Sequence, residues 1–309
     1  MVKVKRKIEW IEGGLFHSNY RFFIEGNGLT NEWKDKPLLL RLISQKDTGR
    51  SQYNSLNHLN CEAKTLQVLK EAGFRFSTPE FICMVKDDSG ETVGLIETWV
   101  WGISLPFYKK SIHYDRIVPS IAEAAVAVHQ LPKDKFKHLQ MYPDSRTHVL
   151  KLLGSLPPEV FSQYPAAHRT RDWILSHLPE KRHATVLHGD LLPQNLICGE
   201  NRGEWKISVI DWEFAIIGDP ACDLAVVTRG HKKLEGKDNG LKLLLNFYKE
   251  AGGAELSMSD IHIHELIMIL NWLWDSAEAK RKDRHGGGHG PEFYLQRLES
   301  LLHRAERSR

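Results

Sequence analysis

The sequence predicts an α+β protein of two lobes: an antiparallel sheet carrying one helix, then a larger, mainly helical region. Three observations predict it. Up to residue 101, short runs rich in aromatic and branched residues alternate with glycine-rich turns. Beyond Gly102, apolar residues recur at helical spacing. The chain has 309 residues, the length of about two domains at roughly 100–200 residues each.

Taken in order, Gly13-Gly14 and Gly26-Asn27-Gly28 punctuate a strand over Asn19–Ile24. Leu38–Ile43 is an apolar run of strand length. Leu59, Glu62, Ala63, Leu66, Val68, Leu69 and Ala72 fall at helical spacing, and Gly73 is a stop signal. Pro79 opens an extended stretch over Phe81–Val85, Asp87-Asp88-Ser89-Gly90 turns the chain, and Thr92–Val100 returns. In the second region Ile121, Ala124, Ala125, Val128 and Leu131 make one apolar stripe on a helix over 117–131. Residues 173–178, 241–250, 261–279 and 293–307 carry further helical patterns, interrupted by short strands at Ala184–Leu187 and Ile207–Ile210. His285-Gly286-Gly287-Gly288-His289-Gly290 reads as an exposed glycine-rich loop rather than a metal site.

Composition excludes several classes. Forty-two Lys plus Arg against 39 Asp plus Glu leave a formal charge of +3, too little to argue for nucleic acid. Lys3–Lys7 and Lys280–Lys282 read as solvated ends. Cys61, Cys83, Cys198 and Cys222 are scattered and form no Cys-x-x-Cys pair, which argues against a disulfide scaffold and a cysteine zinc site. Reduced thiols in a cytoplasmic protein are the expectation. The charged start lacks an apolar leader, and no run of about 18 apolar residues predicts a membrane span.

The chemistry concentrates between Val186 and Thr228. His188-Gly189-Asp190 follows a predicted strand, Asn195 comes five positions after Asp190, and Ile210-Asp211-Trp212-Glu213 ends the next strand. Two strand ends thus deliver carboxylates, with an amide between them. Such a set can orient a hydroxyl nucleophile and bind a divalent metal through oxygen, and Mg²⁺ takes one or two carboxylates plus substrate phosphates. An H-R-D-x4-N run followed by a metal-binding Asp has the same spacing logic.

The segment resembles the aminoglycoside phosphotransferase family, the kinase-like small-molecule phosphotransferases. The resemblance rests on His188-Gly189-Asp190, Asn195, Ile210-Asp211-Trp212-Glu213, Gly218-Asp219-Pro220 and Asp223-Leu224-Ala225. Less specific likenesses are Glu62-Ala63 with Leu66 and Leu69, Ala127-Val128-His129, and Phe247-Tyr248 before Gly252. It implies a protein-kinase-like two-lobe fold, with residues 1–101 as the nucleotide-binding lobe and 102–309 as the catalytic and substrate-binding lobe.

The resemblance also implies roles. Asp190 would be the catalytic residue that orients or accepts the proton of the substrate hydroxyl. Asn195 and Asp211 would hold Mg²⁺, with ATP or GTP as co-substrate. His188 would support the loop, and Asp219 and Asp223 would anchor it and cap the next helix. Gly13, Gly14, Ser18 and Asn19 would form the loop over the phosphates. Arg41, standing where kinases carry lysine, would pair with Glu62 and grip the phosphates; a surface arginine, with Lys36 or Lys46 in its place, is the alternative. The nucleobase would bind the backbone near Glu97, Thr98 and Trp99.

Two departures point to a small-molecule acceptor rather than a protein. Only seven residues separate Asp211 from Asp219, which leaves little room for a peptide-docking loop, and Gly189 stands where protein kinases carry arginine. The leading acceptor is an antibiotic such as an aminoglycoside; macrolides, amino alcohols and sugars are the alternatives within the family. Glu265, Asp275, Glu278 and Asp283, interleaved with Trp272 and Trp274, would suit a cationic sugar, with Asp275 and Glu278 as the substrate-binding candidates. The same helix can equally bury its tryptophans in the core, and the basic stretch Lys280–Arg284 works against an acidic pocket. A nucleotide-binding regulator without catalysis is the rival from another class. Nothing in the sequence marks a dimer surface.

Overall fold

In the computed structural model the short apolar runs of the first hundred residues pair into sheets. The structure describes residues 3–4, 8–11, 17–25, 33, 36–43, 55–105, 116–201, 204–230, 234, 239–282 and 289–307. The glycines Gly13, Gly14 and Gly26–Gly28, Lys46, Asp283 and most of the His285–Gly290 loop lie outside them. The chain divides into two compact units, Met1–Ile103 with Ile197–Phe214, and Ser104–Leu196 with Ala215–Arg309.

The first unit is built on a five-stranded antiparallel sheet. Its strands are β2 (Glu9–Ile11), β3 (His17–Phe22), β5 (Leu38–Ile43), β6 (Phe81–Lys86) and β7 (Thr92–Thr98), in the order β2-β3-β5-β7-β6. A minor pair joins β1 (Lys3–Val4) to β4 (Ile24–Glu25). The central position of β5 explains its unbroken apolar run: it has a neighbour on each side, with Arg41 opposite Asn19 and Leu95. At Gly94 the strands approach so closely that a Cβ would lie 2.4 Å from the Arg41 carbonyl oxygen, so only glycine fits there. The hairpin between β6 and β7 is fastened by Asp87, whose carboxylate accepts from the Ser89 and Glu91 N–H groups at 2.9 and 3.0 Å.

Helix α1 (Ser55–Ala72) buries Leu59, Ala63, Leu66 and Leu69 at i, i+4, i+7 and i+10. Glu62 lies within that apolar stripe and is completely buried, which requires a charged partner. The later segment of this unit supplies β10 (Leu196–Asn201) and β11 (Glu204–Val209), which form the sheet β11-β10-β8 with β8 (Ile103–Ser104). Val209 N–H donates to the Ser77 carbonyl at 2.9 Å, tying β11 to the chain that leaves α1.

The second unit is helical around one short antiparallel ladder, β9 (Thr185–Leu187) with β12 (Ile216–Gly218). Its helices are α2 (Ile117–His129), α3 (Ser145–Gly154), α4 (Pro158–Gln163), α5 (Pro165–Ser176), α6 (Ala221–Thr228), α7 (Gly240–Glu250), α8 (Met258–Arg281) and α9 (Pro291–Arg307). One core joins α3, α4, α5, α8 and α9 through Val149, Val160, Ile174, Ile263, Leu270 and Leu298, and Trp272 and Trp274 pack half-buried against it. Asp144 caps α3 by accepting from Thr147 N at 2.8 Å. Ser257 and Asp260 form a reciprocal capping box at the start of α8.

Several sequence expectations are corrected. The region between the helices holds four strands rather than two: β12 has only three residues, and β10 ends in the polar run Gly199-Glu200-Asn201, which hides it. Helices α3, α4 and α6 add to the expected set; six to ten residues are too few for a clear periodic signal. The pattern at 173–178 is the end of α5, which begins at Pro165. No helix among the described residues is long and apolar enough to cross a membrane. All four cysteines are free thiols.

Candidate active site

In the first unit the site grows from Arg41. It sits on the central strand with its side chain only 7% exposed, so its charge needs partners inside the protein. Arg41 Nη1 donates to Glu62 Oε2. Its Nη2 donates to Asp211 Oδ1 at 2.8 Å and lies 3.9 Å from Glu213 Oε1. Glu62 Oε1 in turn accepts from the Trp212 backbone N–H at 3.3 Å. The Trp212 ring is fully buried, donates to the Val209 carbonyl at 3.1 Å and meets Phe74 edge-on at 5.5 Å. A packed indole therefore fixes the backbone on either side of which Asp211 and Glu213 project.

Burial works against charge throughout this cluster, and the neighbours decide the outcome. For Arg41 burial opposes the cation, but Glu62, Asp211, Glu97 and Glu213 outweigh it and hold the guanidinium firmly charged. Burial pushes the Glu62 carboxyl up to about 7 against the pull of Arg41. Burial and the neighbouring Glu62 push Glu97 well above the usual carboxylate range. Burial and Arg41 push His17 down to about 3, which keeps it neutral 3.4 Å from Glu213.

The register sorts the other nucleotide-site candidates. Asn19 stands directly across from Arg41, and its buried Oδ1 has no hydrogen-bond partner among the described residues. Ser18 pairs with Leu42, so its side chain leaves the sheet on the opposite face, and only its backbone adjoins that of Asn19. Glu97 pairs with Leu39 on the Arg41 face, and its Oε2 is likewise buried and unpartnered among the described residues. Thr98 donates its N–H to the Glu80 carbonyl at 3.0 Å, and Trp99 donates to the Pro37 carbonyl at 3.2 Å. Those two N–H groups are engaged within the unit. The Arg21 guanidinium lies over the rings of Trp99 and Trp101 at 5.1 and 5.7 Å.

In the second unit the site is a loop. Strand β9 ends at Leu187, Gly189 takes a left-handed φ of 79°, and Asp190 follows. Asn195, in a 3₁₀ turn over 193–195, folds back so that its Nδ2 donates to the Asp190 carbonyl at 2.8 Å and to Asp190 Oδ2 at 3.2 Å. The loop hangs from Asp223 of α6, whose carboxylate accepts from His188 N at 2.9 Å and Gly189 N at 2.8 Å. Behind Asp223 stands His129, its Nε2 3.1 Å away, and behind that the Tyr248 hydroxyl, 2.7 Å from His129 Nδ1. Burial would raise Asp223, but the bonds from His129 and the loop N–H groups outweigh it and keep it ionised. An ionised Asp223 accepts from His129 Nε2–H.

Asp219 anchors the other end of β12. It accepts from Ala221 N at 3.2 Å, lies 2.9 Å from His264 Nε2 and 3.6 Å from Arg182, and its N–H donates to His148 Nδ1 at 3.0 Å. Arg229, at the end of α6, brings its Nη2 to 3.5 Å from Asp190 Oδ1. The non-glycine residues with left-handed backbone among those described are Asp211, φ 71°, and Arg229, φ 49°. That conformation costs a side-chain-bearing residue roughly 1–2 kcal/mol, and it clusters at functional sites.

Taken separately, each unit offers an oxygen donor of the kind a hard divalent ion takes. In the first, the Asp211 carboxylate is 28% exposed; in the second, the Asn195 amide nitrogen faces Asp190, which leaves its Oδ1 as the donor. Among the described residues no three His, Cys, Asp or Glu side chains converge on one point.

The acceptor candidates divide. Glu265 is buried and binds Thr228 Oγ1, Gly230 N and His262, so it belongs to the helix framework. Asp275 and Glu278 lie 10 and 13 residues further along α8, about 15 and 20 Å at 1.5 Å per residue. Glu278 bonds Arg281 at 2.8 Å and Lys282 at 3.2 Å, and it lines a cleft of about 580 Å³ with Glu159, Tyr164, Trp274 and Glu292. Sequence reasoning missed His17 and Arg229; a single histidine and a single arginine far from any motif carry no signal of their own.

A central-strand arginine paired with a helix glutamate, and an Asp and Asn bonded on one loop, define a kinase-like phosphotransferase fold. A family model described as the phosphotransferase enzyme family matches residues 13–245, and the chain belongs to that family. It is 29% identical over 182 residues to an aminoglycoside 3'-phosphotransferase of Streptomyces ribosidificus, covering 55% of this chain and 66% of that one. It is 39% identical over 64 residues to acyl-CoA dehydrogenase family member 10 of Mus musculus, covering 21% of this chain and 6% of that protein. The matched stretches span less than two thirds of these relatives' own length. A solved GDP and kanamycin complex of APH(2")-IIIa has a TM-score of 0.66 to this chain at 15% identity, over 99% of this chain and 94% of the other, which establishes the shared fold.

Proposed function

We propose that the chain transfers the γ-phosphoryl group of ATP or GTP to a hydroxyl of a small molecule in the cytoplasm. The observation that carries the reading is the single Arg41 guanidinium held on both Glu62 and Asp211. It fixes a cation of planar, forked geometry, suited to phosphate oxygens, beside the carboxylate that meets the metal. In this reading residues 1–101 form the nucleotide-binding lobe and 102–309 the catalytic and substrate-binding lobe. Asn19, the backbone of Ser18, Glu97 and the carbonyls of Thr98 and Trp99 complete the nucleotide contacts, with Glu62 holding Arg41.

Asp190 orients the acceptor hydroxyl and takes its proton as the new oxygen–phosphorus bond forms. Asn195 fixes the rotamer of Asp190, and Asp223 fixes the loop. Asp211 and Asn195 each offer an oxygen to Mg²⁺, which when bound neutralises charge on the triphosphate. Catalysis on this account is positioning and electrostatics.

An aminoglycoside is the leading acceptor, on the strength of the Streptomyces relative and the kanamycin-bound neighbour. Asp275 and Glu278 would meet the far end of such an extended polycation. One observation favours a second reading: Glu278 is already neutralised by Arg281 and Lys282, which suits a less cationic acceptor such as a macrolide, amino alcohol or sugar. The test is nucleoside diphosphate release with Mg²⁺, from ATP and from GTP, against panels of these four classes. Turnover on one class, reduced about a thousandfold in Asp190→Ala with nucleotide affinity unchanged, is the expected result. Nucleotide binding without transfer to any acceptor would favour a regulator instead.

A further inference from the structure

Helix α6 ends in two consecutive left-handed residues, Arg229 at φ 49° and Gly230 at φ 68°. The glycine adopts this conformation freely, whereas the arginine must be held in it. The hold is visible. From α8, Glu265 Oε1 accepts from Gly230 N at 3.2 Å and from Thr228 Oγ1. From α9, Arg297 Nη2 donates to the Arg229 carbonyl at 2.5 Å, and Arg304 Nη2 donates to the Gly230 carbonyl at 2.6 Å. The end of a helix, ordinarily a negative pole of carbonyls awaiting donors, is here met by two guanidinium groups and carries a third.

The consequence is the placement of Arg229. Its Nη2 lies 3.5 Å from Asp190 Oδ1, while Asn195 Nδ2 lies 3.2 Å from Oδ2. Each carboxylate oxygen of Asp190 thus has a donor of its own. At 3.5 Å the arginine makes a charge contact rather than a tight hydrogen bond.

We propose that Arg229 is a further catalytic residue, resting against Asp190 before transfer and donating to the phosphoryl group as it reaches the acceptor, with Arg297 and Arg304 as its positioning residues. The inference rests on the phosphotransferase reading above. In the step, the acceptor oxygen bonds to the γ-phosphorus and the bond from phosphorus to the β-phosphate oxygen breaks. Its electron pair leaves on the nucleoside diphosphate, and the hydroxyl proton passes to Asp190. Once Asp190 is protonated its charge is gone, and the Arg229 cation then faces the phosphoryl oxygens. A positioned donor of this kind strengthens as charge develops in the transition state.

The experiment compares wild type, Arg229→Ala, Arg229→Lys, Arg297→Met and Asp190→Ala for kcat, acceptor KM, nucleotide affinity and thermal midpoint. Arg229→Ala is expected to lower kcat about a hundredfold, the effect of removing one transition-state donor, with KM, nucleotide affinity and midpoint nearly unchanged. Added guanidinium ion at concentrations that do not denature should restore part of that loss, and should restore nothing in Asp190→Ala. Arg229→Lys should lie between wild type and Arg229→Ala. Arg297→Met should lower kcat about tenfold, and no further when combined with Arg229→Ala. An active wild type whose Arg229→Ala variant keeps its kcat overturns this inference alone. So does a loss of kcat that tracks the thermal midpoint and resists guanidinium rescue. A wild type that transfers phosphate to no acceptor overturns both this inference and the reading beneath it.

Discussion

The cluster around Arg41 and the cluster around Asp190 both hold charged side chains by hydrogen bonds, and they differ in exposure. In the first, Arg41, Glu62, Glu97 and Glu213 are buried and Asp211 keeps 28% of its side chain exposed, whereas in the second both Asp190 and Arg229 are open, at 24% and 30%. A buried cation cannot fall back on water if a partner is lost, so the first cluster is part of what keeps its unit folded. The second is held mainly through the backbone of its loop, and its side chains remain open to a ligand. Disturbing the first should register in stability, and disturbing the second in turnover.

The largest effect that sharpens this contrast is Glu62→Ala. With Asp211 and Glu213 still beside Arg41, it should lower the unfolding free energy by about 3 kcal/mol, measured by urea denaturation. Asp190→Ala should change the same quantity by under about 0.5 kcal/mol while lowering turnover about a thousandfold. An equal loss of stability in both variants would break the distinction.

Tyr248→Phe comes next. It removes the hydroxyl on His129 Nδ1, two links behind the loop, and should cost about 1 kcal/mol of stability. If the Tyr248–His129–Asp223 chain fixes the loop, kcat should fall about tenfold with acceptor KM unchanged. A loss of stability with full kcat would make the chain purely structural. As a comparison away from both clusters, Asp144→Ala removes the α3 cap, and should cost about 1 kcal/mol in the same denaturation assay with kcat untouched.

A pH dependence follows from the neighbouring pair His148 and His264, whose rings stand 5.5 Å apart. For His264 burial opposes the charge, but Cys222 and the bond to Asp219 outweigh it and raise it from 6.5 to about 10. Its contribution is complete below pH 6.5 and is lost as pH rises toward 10. His148 is pushed down from 6.5 to about 3, mainly by burial, so its contribution is complete above 6.5 and is lost as pH falls toward 3. Together they place a stability maximum near pH 6.5, and His264→Asn should flatten the alkaline side of the urea midpoint curve.

Much of this molecule is legible from residues alone. The run Leu38–Ile43 is a central strand because only a strand with neighbours on both sides buries so continuous an apolar sequence. Glu62 announces itself as a polar residue inside an apolar helical stripe. The bond between Asp190 and Asn195 is legible through local spacing, since the two lie five residues apart on one loop. Local pattern also predicts helices 117–131, 241–250, 261–279 and 293–307, because their apolar faces repeat over several turns.

Other features required the folded chain. Residues 197–214 belong to the first unit although they follow much of the second, and no periodicity reports such a return. Ser18 and Asn19 are adjacent in sequence, yet the pleat sends them to opposite faces, and only the register with Arg41 and Leu42 says which faces the site. Arg229 acquires its place through Glu265, Arg297 and Arg304, which lie 36 to 75 residues further along the chain. By itself the sequence determined the elements and the loop chemistry, because hydrophobic periodicity and hydrogen bonds within a few residues act locally. Tertiary structure alone decided which buried charges meet, because that depends on side chains brought together from distant segments as water is excluded.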